Sequence, residues 1–385
     1  MPSGLTERVD AARLEQLTFD LVKIRSYTGE SREVSEFYGQ YLRDIGLDVE
    51  MNRDFPNSPC VIARLRGVGG GPTLTLNGHI DTVPVDHPEP YIANGTVYGR
   101  GTADMKGGLA AIAEAVRVIK ESGTRLKGDL LVIAHGLHEN PGGHGEDLIN
   151  LVQKGIKGDA AIIAEVASDA LPVFGLGQGM FDITVSRSGE ASHELKTPAG
   201  TPHPILAAVQ MVNLMQEKHK ALQAKPPLPY VGHESYFFGM FHGGDFFNRW
   251  TTSCNLVGTR RYGPGSTVDD IRAELAAMAK QVEADTGATV TPNFVPVRDG
   301  FRLDENEPLV VTVRQAYQTV TGKELPLSGI RVVGDASIFM RQGRIPCVYQ
   351  GPGGFGAHAD LEGMPVAELV RAAKVYVETA VSFVG

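Results

Sequence analysis

Five segments of this chain end a short apolar run, or open a helix, with an imidazole or a carboxylate. Asn77-Gly-His79-Ile-Asp81-Thr-Val-Pro84 follows the apolar run Leu74–Leu76. Gly99-Arg-Gly101-Thr-Ala-Asp104-Met-Lys106-Gly107-Gly108 leads into a helix predicted over Met105–Lys120. His138-Glu139-Asn140-Pro-Gly142-Gly143-His144-Gly145 follows Leu130–Ala134, and Glu165 closes Ala160–Ala164. Gly351-Pro-Gly-Gly-Phe-Gly-Ala-His358 follows Cys347–Tyr349. Strand-like runs alternating with helical ones predict an α/β layer, and open sheets of that kind keep their sites beyond the carboxyl ends of the strands. Each turn has a plain reading by itself: Asp104 suits a helix N-cap, and His79 suits a surface turn. In sequence order, however, the five supply His, Asp, Glu, Glu and His without a cysteine. That donor mixture suits hydrolytic Zn²⁺, Mn²⁺ or Co²⁺ centres.

The remaining pattern divides the chain. Residues 5–48 read as mostly helical, with Leu14, Leu17, Leu21 and Ile24 at helical spacing. Beyond Gly177 the order becomes strand, helix, strand, strand, helix, strand, as in a ferredoxin-like α+β sandwich. Helix and strand patterns resume after Arg298. The expected fold is an α/β catalytic domain, a mixed sheet flanked by helices, formed by residues 1–181 and 297–385. A smaller α+β domain is expected as an insertion at 182–296. Its aromatic-rich stretch (Tyr236, Phe237, Phe238, Phe241, Phe246, Phe247 and Trp250) reads as core of that insertion.

Composition removes several classes of function. Hydrophobic residues at 42% and charged residues at 21% describe an ordinary globular core rather than a disordered chain. A net charge of −9 with no Lys/Arg-rich run disfavours nucleic acid and anionic membranes as partners. No run approaches the roughly 18 apolar residues of a membrane span. The polar N-terminus lacks a signal-peptide pattern, so a cytoplasmic protein is expected. Three scattered cysteines (Cys60, Cys254 and Cys347) suit neither a disulfide framework nor a thiolate metal site.

Taken together, NGHIDTVP, GRGTADMKGG, the turn around Glu139, GEASH at 189–193 and the late GPG…AH resemble the zinc aminoacylase superfamily over essentially the whole chain. That superfamily includes acetylornithine deacetylase, succinyl-diaminopimelate desuccinylase, aminoacylase and glutamate carboxypeptidase. The resemblance implies a two-metal centre and an inserted lid that forms a homodimer. His79, Asp104 and Glu165 would hold one metal. Asp104, Asn140 and His358 would hold the other, with Asp81 orienting His79. Glu139 would be the general base acting with a metal-bound hydroxide. His193 would reach the partner subunit's site and donate to the developing oxyanion, while Asn248, Arg261 and Gly353 would contact substrate. His138 stands where relatives commonly carry Asp, and the expectation for it is a place near the substrate, as a contact, an acid/base or a substitute ligand. Where the family carries an acid, this chain has Asn140, a neutral and weaker donor. One firm metal and a second weaker one are therefore expected, Zn²⁺ first.

The implied activity is hydrolysis of the amide of an N-acyl amino acid or a small dipeptide-like molecule bearing a carboxylate. Two alternatives stand beside it at this point: an aminohydrolase acting on a non-peptide, aromatic substrate, and a non-catalytic metal-binding member.

Overall fold

The computed structural model describes residues 4–139, 142–166 and 168–385. The chain divides into two compact units. One comprises the chain up to Val173 with Leu303–Ser328 and Gly334–Gly385; the other comprises Phe174–Arg302 with Gly329–Val333.

The first unit is built on a six-stranded sheet in the order Asp48–Asn52, Cys60–Leu65, Leu130–His135, Leu74–His79, Ala160–Ile163, Cys347–Tyr349. The first two pairings are antiparallel and the remaining three parallel, so the sheet is mixed. Leu74–His79 and Leu130–His135 are buried along their full length. Strands covered on both faces read as continuous apolar runs, and these do. Helix Gly107–Ser122 buries Leu109, Ile112, Val116 and Ile119, and also Glu114, whose carboxylate takes Arg13 Nη2 at 2.6 Å and Nε at 2.9 Å. Its C-terminus closes at Gly123 in the left-handed conformation. The parallel register sends Leu74–His79 and Ala160–Ile163 in one direction, which brings His79 and Glu165 to the same sheet edge.

The second unit holds a four-stranded antiparallel sheet in the order Ser235–Gly243, Ser253–Tyr262, Gly177–Ser186, Thr289–Arg298. Helices Pro204–Gln223 and Val268–Thr286 are the other two members of a strand–helix–strand–strand–helix–strand succession. Gly177–Ser186 alternates buried and open positions, and Phe181, Ile183 and Val185 join Met211, Met215, Leu256, Leu275 and Val282 in the core.

The aromatic stretch departs from the sequence expectation. Tyr236 is buried and Phe238 packs on the core, but Phe237 is 64% exposed and Phe247 89%, with Phe241 and Phe246 also open. Adjacent strand residues face opposite ways, so Phe237 cannot enter the core beside Tyr236, while Phe246 and Phe247 lie beyond the strand, in the turn that follows Gly243.

No helix among the described residues is long and apolar enough to cross a membrane. All three cysteines are free and buried.

Candidate metal centre

His79 ends its strand with a fully buried imidazole. Its Nε2 lies 3.0 Å from Asp104 Oδ1 and 3.6 Å from Glu165 Oε2, and its Nδ1–H donates to the Asp81 carbonyl at 3.1 Å. The other oxygen of Asp104, Oδ2, lies 3.1 Å from His358 Nε2. One carboxylate therefore sits between two imidazoles, using a different oxygen for each. His358 Nε2 is also 2.9 Å from Glu139 Oε1. The structure thus brings together His79, Asp81, Asp104, Glu139, Glu165, His358 and His138, drawn from every one of the five sequence segments. Asn140 lies outside the described residues.

Local backbone chemistry explains how the turns reach one point. Gly101 adopts a φ of 92°, which a side chain disfavours, before the chain turns into Thr102–Lys106. Asp104 does not cap the following helix; its φ of −135° and ψ of 88° are extended, and the carboxylate points at the imidazoles instead. Gly351 passes so close to Glu165 that a Cβ there would stand 2.5 Å from Glu165 Cα. A side chain at 351 would drive the fifth segment away from the fourth.

Four carboxylates converge here, and the protonation equilibria show that they are short of positive charge. Burial pulls the His79 imidazolium down, but hydrogen bonds to Asp104, Asp81 and Glu165 outweigh it and hold its pKa well above the ordinary value. The Asp104 hydrogen bond lifts His358 to about 9 against the pull of burial. Asp81 is buried, yet His79 draws it down to about 2. Burial, reinforced by the nearby Asp104 charge, raises Glu139 above the usual carboxylate range. The donor chemistry fits a divalent cation: one atom from each of His79, Asp104 and Glu139 lies within 4.8 Å of the others, as does one from each of His79, His138 and Glu165.

Three further residues shape this centre. Glu362 is fully buried; its Oε1 accepts from Ala103 N–H at 2.8 Å and Asp104 N–H at 3.0 Å, and its Oε2 accepts from Gly101 N–H and pairs with Arg100 at 2.8 Å. Glu362 thus holds the loop that aims Asp104. His87 accepts Glu362 N–H at Nε2. His135 lies beneath the centre with Nε2 3.0 Å from Asp335 Oδ2. Burial lowers its pKa, but Asp335 and Asp147 dominate and lift it to about 10. A single acid such as Glu362 in an otherwise unremarkable stretch carries no sequence signal for such a role.

Gly353 donates its N–H to Glu368 Oε2 at 3.0 Å, and His144 is exposed. In the second unit, the Asn248 side-chain amide lies 3.1 Å from His193 Nε2, while His193 Nδ1 accepts from Leu195 N–H. Arg261 lines a cavity of about 400 Å³ with His219, His233 and Arg331. Its neighbour Arg260 is 1% exposed and pairs with Glu234 and Glu274, as opposite-facing strand neighbours require.

Residues 75–382 match the peptidase family M20/M25/M40. The N-formyl-4-amino-5-aminomethyl-2-methylpyrimidine deformylase of Bacillus subtilis is 23% identical over 91% of this chain and 89% of its own length. The acetylornithine deacetylase of Klebsiella pneumoniae is 28% identical over 71% of this chain and 73% of its own. Among solved structures, a dinuclear metal-binding peptidase of family M20 from Bacillus subtilis superposes with a TM-score of 0.75 at 16% identity, covering 97% of both chains.

Proposed function

The chain belongs to peptidase family M20/M25/M40 and is a metal-dependent hydrolase of amide C–N bonds in small substrates; within that class we propose that it cleaves an N-acyl amino acid or a short dipeptide-like molecule carrying a free carboxylate. The observation that carries this reading is Asp104 set between His79 and His358, with the Glu139 carboxylate beside them. The relatives named above remove a formyl or an acetyl group from nitrogen, or act as peptidases, which favours amide hydrolysis over the aminohydrolase alternative.

Zn²⁺ is the proposed ion, held firmly by His79, Asp104 and Glu165, with a weaker second position at Asp104 and His358 where Asn140 replaces an acid. When bound, such a cation polarises a carbonyl and lowers the pKa of water toward 7. Glu139 takes the proton of the attacking water and returns it to the leaving nitrogen. Its raised pKa suits a group that must both accept and donate near neutral pH. Asp81 fixes the Glu139 backbone and the His79 side of the centre.

Residues 182–296 are proposed as a ferredoxin-like lid that pairs two copies of the chain. There His193, whose Nδ1 accepts Leu195 N–H and so leaves the ring proton on Nε2, donates to the oxyanion in the partner subunit's site. The open side chains Phe237, Met240 and Val295 support an interface on that sheet. Arg261 grips the substrate carboxylate with its planar fork, and the arginine- and histidine-lined cavity beside it supports that role. A cytoplasmic location completes the proposal.

The test is a panel of N-formyl and N-acetyl amino acids, dipeptides and aminoaromatics with Zn²⁺, Mn²⁺ or Co²⁺ added. Stoichiometric release of an acid and an amine from the carboxylate-bearing amides supports the reading. Release of ammonia from aminoaromatics, with the amides untouched, overturns it.

A further inference from the structure

The polar side chains lining the cavity beside Arg261 can all donate hydrogen bonds: Arg261, Arg331, His219, His233, Gln223 and Ser235. No carboxylate among the described residues lines it, in a chain with 45 acidic and 36 basic side chains. Both guanidinium groups are held by carbonyls. Arg261 Nη1 donates to the Arg331 carbonyl at 2.9 Å, and Arg331 Nε donates to the Val231 carbonyl at 2.8 Å. A carbonyl orients a guanidinium without cancelling its charge, and leaves most of its five N–H groups to a ligand. Glu234, between His233 and Ser235 in sequence, is taken up elsewhere: it pairs with the buried Arg260 at 2.8 Å and accepts Gly263 N–H at 3.0 Å. Burial lowers the Arg261 pKa, and no acid offsets it.

The imidazoles add to this demand. His219 Nδ1 accepts Tyr236 N–H at 3.2 Å, which puts the proton of the neutral ring on Nε2. His233 Nδ1 is buried without a hydrogen-bond partner, a cost that a bound ligand can relieve. Arg331 is exposed, so a ligand can reach it. One planar fork suffices for one carboxylate. Two forks with unbalanced charge in a single cavity of about 400 Å³ exceed that need. We propose that the substrate carries a second anionic group, held by Arg331, and that the preferred substrates are amides whose amino-acid part is itself acidic: an N-acylated aspartate or glutamate, or a dipeptide ending in one. The proposal rests on the reading above, in which Arg261 takes the main-chain carboxylate, and adds a side-chain requirement to it.

Two measurements on the full-length protein test it. Chelated, metal-free protein is titrated with the N-acetyl derivatives of glutamate and aspartate and with those of glutamine and asparagine, which separates binding from turnover. The acidic members should bind at least about tenfold more tightly, the worth of one charge-assisted hydrogen bond. Arg331→Met should erase that difference. In the metal-loaded protein the same preference should appear in kcat/KM, carried by KM, and Arg331→Met should lower kcat/KM at least about tenfold more for the acidic members than for the neutral ones. Equal affinity for acidic and neutral members, or an Arg331→Met that weakens both alike, overturns the proposal, and hydrolysis of the neutral amides then leaves the hydrolase reading intact. Tighter binding of N-acetyl-O-phosphoserine than of either acidic member overturns the choice of a carboxylate. Failure to hydrolyse any carboxylate-bearing amide overturns the hydrolase reading instead, while the titration of chelated protein still decides this one.

Discussion

Asp81 Oδ2 accepts the backbone N–H of Glu139 at 3.0 Å. The same oxygen takes His138 N–H at 3.1 Å and the Thr28 hydroxyl at 2.8 Å, so this buried acid locks the turn that carries the proposed base. Its link to His79 runs instead through its own carbonyl oxygen, at 3.1 Å, while its carboxylate stands 3.5 Å from His79 Nδ1. Asp81 therefore serves the turn around Glu139 at least as directly as it serves His79.

Asp81→Asn removes the carboxylate charge that strengthens three hydrogen bonds at one oxygen, and the turn is held less firmly. The expected result is a fall in kcat of about 10²-fold with KM little changed, because small misplacements of a catalytic group cost rates of this order. Thr28→Val removes one of three hydrogen bonds and is expected to cost less than about 10-fold by the same reasoning. Steady-state kinetics on both variants, with bound metal measured alongside, checks the order.

Glu362→Gln breaks the buried pair with Arg100 and weakens the clamp on Ala103 and Asp104. Removing one partner of a buried ion pair typically costs about 3–5 kcal/mol. Denaturant unfolding of the metal-free variant should show a loss of this size, accompanied by weaker metal binding through a misaimed Asp104. Unchanged stability would contradict the part assigned to Glu362.

Metal affinity should depend on pH with a definite sign. In the metal-free protein the hydrogen bond to Asp104 raises His358 to about 9 from an ordinary 6.5, and His79 is raised as well. A cation must displace these protons, so apparent affinity rises with pH by up to tenfold per unit for each proton displaced. For His358 the rise ends near pH 9. The contribution of protonated His358 to folding runs the other way: it is fully present below its unfolded value and is lost as pH rises through about 9. Metal titrations and thermal unfolding of chelated protein across that window test both signs.

Much of this centre was legible because its residues sit where strands end. His79 and Glu165 follow apolar runs whose parallel register brings them together, and Asp104 and His358 lie in glycine-containing loops that the sequence displays openly. Glu362 was not read as part of the site because the loop it holds lies 258 residues away in sequence. The three-residue strands Tyr91–Ala93 and Thr96–Tyr98 are too short to show periodicity, and the sequence reading missed them. The aromatics at 236–247 misled because their number says nothing about which face of a strand each occupies, or, for Phe246 and Phe247, that they lie in a turn outside the strand.

The most direct test of the central claim compares hydrolysis of a responsive N-acyl amino acid in three states: metal-loaded wild type, chelated wild type, and metal-loaded Glu139→Gln. Chelation should abolish turnover and metal addition restore it. Glu139→Gln should retain its metal but lose about 10²- to 10⁴-fold in kcat, the span of a general base. Full turnover in chelator, or wild-type kcat in Glu139→Gln, would contradict the account.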